Sequence, residues 1–220
     1  MSRLRYARSG QAVWISHLDM MRLFQRAFAR AGIRIRHSAG FNPHALISIA
    51  LPMSVGTASE CELLDFSVES GCDDLAALPA RLNACLPEGM RVLEAYESEH
   101  KIRGLRYLRA RIDLTFDEGV PEGARDKIAA LFARDEIIVL KKKKKEGFVP
   151  ENIRPMIVSM DVTQPDSTHI SLETVVCALE PSLNPEYLLR AMENELPDLK
   201  PDATAICRLE VYDEDLNVFR

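Results

Sequence analysis

Residues 1–59 hold eight arginines (Arg3, Arg5, Arg8, Arg22, Arg26, Arg30, Arg34 and Arg36) and one acid, Asp19. That segment carries +7, and residues 60–220 carry −12 within the total of −5. A guanidinium grips phosphate or carboxylate through paired N–H donors, so clustered arginine with almost no acid points to an anionic partner. A second basic run, Lys141, Lys142, Lys143, Lys144 and Lys145, stands in the acidic remainder. It reads either as part of the same anion-binding surface or as a solvated hairpin. His17 and His44 lie inside the arginine segment, and a near-neutral imidazole there has the chemistry to move a 2′-hydroxyl proton while arginines steady the phosphate. That would be metal-independent RNA cleavage. The competing reading of His17 is a partly buried histidine, bonded to backbone or to Ser16 at a helix start. In Gly40-Phe41-Asn42-Pro43-His44 an aromatic able to stack on a base stands next to groups able to bond its edge, with Arg34 and Arg36 close by for phosphates. Otherwise Phe41 is a core plug and Asn42-Pro43 makes the turn.

Local patterns set the elements that carry these residues. A first strand is predicted over 4–8, with a possible continuation through Val13 and Trp14 after a turn at Ser9-Gly10. Ser16 followed three residues later by Asp19 is a capping signature, so a helix runs from about 17 to 31 and Gly32 takes the left-handed position that ends it. On the helical wheel Met20, Met21, Leu23, Phe24, Ala27, Phe28 and Ala31 form the core stripe, and Arg22, Arg26 and Arg30 line the opposite face. Ile33-Arg34-Ile35-Arg36 alternates with period two, which puts the isoleucines inward and the arginines outward on a strand. Further strands are expected over 46–51, 63–68 and 91–95, with a helix over 73–85.

Strand, helix, strand, strand, helix, strand is the ferredoxin-like order, an antiparallel sheet with both helices on one face. After a polar stretch at 98–104 the theme recurs. Strands are expected over 107–116, 136–140, 156–162, 169–178 and 205–212, and helices over 123–134 and 184–192. The expected architecture is α+β, two ferredoxin-like (βαββαβ) domains in tandem over 1–98 and 105–220, with extra strands in the second. In such a fold the outer side of the helix and the open face of the sheet point apart. Arg34 and Arg36 on the sheet face would then bind nucleic acid, and Arg22, Arg26 and Arg30 would be free for a protein partner.

Composition excludes several classes. At 47% apolar and 28% charged residues the chain is an ordinary globular protein rather than a disordered one. No apolar run approaches the length of a membrane span, and the first residues lack a signal-peptide core, so a cytoplasmic protein is expected. Cys61, Cys72, Cys85, Cys177 and Cys207 are scattered, with no three close enough to hold an iron–sulfur cluster and no zinc-type spacing. Phosphate-loop, nucleophile-elbow and zinc-helix motifs are missing as well, and no cofactor is expected.

Trp14-Ile15-Ser16-His17-Leu18-Asp19, Arg22, Arg26-Ala27, Arg30-Ala31-Gly32 and Gly40-Phe41-Asn42-Pro43-His44, followed by Ser48, Leu51-Pro52, Val55-Gly56 and Ser59, resemble the radical-SAM-linked protein family. This is a bacterial domain of unknown function found fused to, or encoded beside, a radical SAM protein. The likeness is dense over 1–70 and thins beyond, where a basic stretch before Ile153-Arg154-Pro155 also resembles the family. It implies a radical SAM protein as partner. The resulting expectation is a non-catalytic accessory that binds RNA or another anionic substrate. The alternatives are an RNA endonuclease using His17 or His44 and a purely structural adaptor.

Overall fold

Alternation of side chains along Ser2–Arg8 builds the first strand, β1, with Leu4 and Tyr6 wholly buried on one face. The computed structural model describes residues 1–143 and 147–220, so Lys144 and Lys145 lie outside the described residues. The protein is α+β and divides into two compact units, Met1–Ile102 with Arg220, and Arg103–Phe219.

In the first unit β1 is followed by a 3₁₀ turn, Gly10–Trp14, and by α1 (His17–Arg30). The continuation of the first strand into Val13 and Trp14 is therefore corrected: Ala12 N–H bonds Ser9 carbonyl and Ile15 N–H bonds Ala12 carbonyl, which closes the chain into a turn. Ser16 caps α1 as its spacing predicts. Its hydroxyl accepts from Asp19 N–H at 3.3 Å and donates to the Asp19 carboxylate at 2.8 Å. Gly32, at φ +71°, takes the left-handed position after the last turn. Met20, Phe24, Ala27 and Phe28 bury the inner face of α1, and Phe24 meets Tyr6 edge to face at 4.8 Å between ring centroids.

β2 (Arg34–Ile35), β3 (Ile47–Ile49), β4 (Ala58–Phe66), β5 (Val68–Ser70), α2 (Leu78–Asn83) and β6 (Met90–Glu97) complete this unit. Its main sheet has the order β6-β1-β4-β3 with every pairing antiparallel, and β2 pairs with β5 as a separate short ribbon. Residues from both helices share one core with Leu4, Tyr6, Leu64 and Phe66. The helix expected over 73–85 is shorter than its apolar spacing suggests. The Asp74 carboxylate takes Ala76 N–H at 2.8 Å, which makes the preceding residues a turn, and Pro79 sits in the first helical turn.

The second unit comprises β7 (Tyr107–Thr115), α3 (Ala124–Phe132), β8 (Ile138–Lys143), β9 (Gly147–Asn152), β10 (Ile157–Thr163), β11 (His169–Cys177), α4 (Glu186–Glu195) and β12 (Ala203–Tyr212). Its main strands follow the order β10-β11-β7-β12, each of these pairings antiparallel, and β8 pairs with β9 as a hairpin. β9 carries Pro150 and no clean alternation, so the sequence gives little sign of it. No helix among the described residues is long and apolar enough to cross a membrane.

Candidate functional site

The eight arginines separate into two populations. On β1 the side chains at positions 3 and 5 point away from α1, and neighbouring strands meet them with acids. Arg3, with no exposed surface, pairs with Asp65 of β4 at 2.6 Å and 3.1 Å and donates to the His100 carbonyl at 2.9 Å. Arg5 faces Glu94 of β6 at 3.6 Å. Leu63 and Cys61 are buried on that same side, and burial pushes the Tyr96 hydroxyl above its usual pKa. The far face of this sheet is therefore closed to solvent along β1 and β4. It is not the open platform that the sequence suggests.

Arg8 sits past a bulge in β1 and packs within the unit. Its Nε lies 3.0 Å from Glu62 Oε1, and Tyr6 donates its hydroxyl proton to Glu62 Oε2 at 3.1 Å. The Arg8 guanidinium also reaches the Ile15 carbonyl at 3.5 Å and the Ser54 carbonyl at 3.1 Å. Both charged side chains are almost wholly buried. The cluster ties the entry to α1 to the 51–57 connection. Sequence reasoning missed it, although Glu62 and Asp65, directly flanking Leu63 and Leu64 in β4, were a readable signal of buried partners.

The second population is exposed. Arg22, Arg26 and Arg30 recur every four residues, about 6 Å apart along the α1 axis. They line one wall of a groove of about 770 Å³ that starts at Ile15 and Asp19 and has Leu23, Cys85, Leu86 and Pro87 as its apolar part. Arg22 contacts Asp19 at 3.0 Å. The Ser16 hydroxyl first and Arg22 second hold the Asp19 carboxyl below its ordinary pKa. Arg26 and Arg30 form no direct ion pair among the described residues.

Arg34 and Arg36 are also exposed and without a carboxylate in contact, but their expected place on a sheet face is corrected. β2 leaves the main sheet, Ile33 and Ile35 face the core, and Ile33 N–H bonds the Phe28 carbonyl. Arg34 thus lines a cleft of about 500 Å³ with Gln25 and Ala29 of α1, His37 and Glu69. Arg34 neighbours α1 rather than standing on an open sheet face, while Arg22, Arg26 and Arg30 line a different groove.

Phe41 is fully exposed at the tip of its loop, which removes the core-plug reading. Asn42 is exposed as well, and Ser38 closes the loop by bonding His44 N–H at 3.1 Å and the His44 ring at 2.9 Å. His17 is exposed and makes no hydrogen bond among the described residues, whereas partial burial was expected. Its position at the first turn of α1 directs it outward because the apolar arc begins only at Met20. In the second unit Lys141 is held by Glu151 and the Ser182 carbonyl, both at 2.9 Å, and its neighbour Lys142 is exposed. Among the described residues no three His, Cys, Asp or Glu side chains come together as a metal site.

A family model described as "Uncharacterized protein conserved in bacteria (DUF2344)" matches residues 2–185. The chain belongs to that family. Membership assigns no chemistry to the arginines. No curated protein matches the chain. Among solved structures, the "Crystal Structure of an Unknown Protein from Galdieria sulphuraria" is 12% identical over 96% of each chain, with a TM-score of 0.27, a likeness that carries nothing further.

Proposed function

We propose that the protein is a non-catalytic cytoplasmic accessory to a radical SAM enzyme, and that its first unit binds RNA or another polyanion along α1. The observation that carries this reading is the set Arg26, Arg30, Arg34 and Arg36, exposed with no carboxylate in contact, in a segment, residues 1–59, whose other arginines Arg3, Arg5, Arg8 and Arg22 each face one. Surplus positive charge on a solvated groove is favourable to an incoming phosphate chain and offers a neutral ligand nothing. Phe41, Asn42 and His44 belong to the same unit as further contacts. Lys142, exposed on β8, is a separate candidate contact in the second unit.

The fold is proposed as two ferredoxin-like domains. Two features support it: each unit runs strand, helix, strand, strand, helix, strand once the β2–β5 ribbon and the β8–β9 hairpin are set aside, and the remaining strands of each unit follow the 4-1-3-2 order of that topology. The radical SAM partner rests on the sequence resemblance. The endonuclease reading keeps one observation in its favour, the exposed and unengaged His17 at the head of an arginine-lined helix.

Salt titration of RNA binding by the full chain tests the proposal. The Arg26→Ala, Arg30→Ala double variant should lose affinity and flatten the log–log salt slope by about 1.4, from about 0.7 for each single-strand phosphate contact. An unchanged slope removes RNA binding along α1. Metal-free cleavage that disappears in His17→Ala or His44→Ala, at unchanged melting temperature, overturns the non-catalytic reading.

A further inference from the structure

Trp14 is the only tryptophan in the chain and stands 68% exposed at the end of the 3₁₀ turn, immediately before the groove begins at Ile15. Its six-membered ring rests on Gly56. A Cβ on that glycine would lie 3.3 Å from Trp14 Cζ3, and φ of +92° itself favours glycine there. Gly56 N–H bonds the Val13 carbonyl at 2.8 Å, which fixes the two segments against each other. Underneath, Arg8 holds the carbonyls of Ile15 and Ser54, and Glu62 with Tyr6 holds Arg8. A buried ion pair is a costly way to stabilise a fold, and here it braces both chain segments that carry one exposed indole. Leu18 and Val55, 67% and 51% exposed, add apolar surface on the same two segments.

We propose that Trp14 is a base-stacking platform at the head of the arginine row, and that the ligand of this surface is therefore a single-stranded nucleic acid rather than a structureless polyanion. The inference rests on the reading of the arginines as a phosphate-binding row and adds the feature that row lacks, a contact to bases. Arg22, Arg26 and Arg30 repeat at about 6 Å, close to the spacing of successive phosphates along an extended strand. A partner must then be both polyanionic along its length and flat and apolar at intervals, and unpaired nucleotides meet both requirements. The rigid mounting of the indole leaves little entropy to lose when a base stacks on it.

The single tryptophan reports directly. Titrating the full chain with an oligoadenylate should quench its emission. A strand of the same length without bases should bind through its phosphates and leave the emission unchanged. Trp14→Ala should weaken oligoadenylate binding about tenfold with no change in affinity for the abasic strand or in the salt slope, and Trp14→Phe should restore part of the loss. Oligoadenylate binding with its full salt dependence, but unaltered emission and equal affinity in Trp14→Ala, overturns the platform and leaves the arginine reading standing. If neither strand binds, both fall. If emission responds only to a protein partner, the surface is a protein-docking site and the platform falls.

Discussion

Arg3 and Arg26 are the same residue type in one basic segment, yet one is sealed against a carboxylate and the other stands in water. Arg3 lies on a strand whose neighbour, β4, supplies Asp65 from 62 positions along the chain. Arg26 lies on the outer side of a helix, where no acid stands three or four positions away, and Asp19, two turns before it, is already held by Ser16 and Arg22. The local charge surplus read from sequence thus disappears on β1 and survives on α1. Surface charge is set by what lies across a sheet or a groove, and sequence neighbourhood is a poor guide to it.

The sharpest way to break this contrast is to delete one member of each population. Arg3→Ala or Asp65→Ala should destabilise the protein by about 3–5 kcal/mol, because each leaves a buried charge without its partner. Arg3→Met combined with Asp65→Leu should recover most of that in denaturant unfolding. Arg3→Ala proving as mild as Arg26→Ala would dissolve the distinction between the two populations. A smaller effect follows from Asp19→Asn, which frees Arg22 to behave like Arg26 and Arg30. Its salt slope for RNA should steepen by about 0.7, and no steepening would mean that Arg22 does not face the ligand. The smallest effect is that of pH. Asp19 is held below the 3.8 of a free aspartate, so its contacts with Ser16 and Arg22 contribute fully above pH 3.8. That contribution is lost as pH falls through the lowered native value. The protection of the Asp19 amide, which donates to Ser16 Oγ, relative to its intrinsic exchange rate should fall only on that acid side.

The amphipathic helix and its cap were legible because their determinants are local. Ser16 and Asp19 are three residues apart, and the stripe from Met20 to Phe28 repeats at the helical period. The alternation Ile33-Arg34-Ile35 correctly gave inward isoleucines but not the sheet they join, since period two records which side is apolar and says nothing of which strand lies alongside. Gly40 to His44 reads as a loop from its Gly and Asn-Pro, but only the structure shows Phe41 exposed, which excludes the core plug.

By itself, then, the sequence determined the short-range features: where α1 starts and stops, which face of it is apolar, and that the arginines recur every fourth residue on the other face. Only the tertiary structure decided which arginines keep a free charge, that His17 points outward, and that Arg8, Glu62 and Tyr6 close under Trp14. The first and last of those outcomes depend on pairs of residues more than fifty positions apart. Their energies are strong only once burial removes the water between them, and no local pattern records which distant carboxylate will arrive.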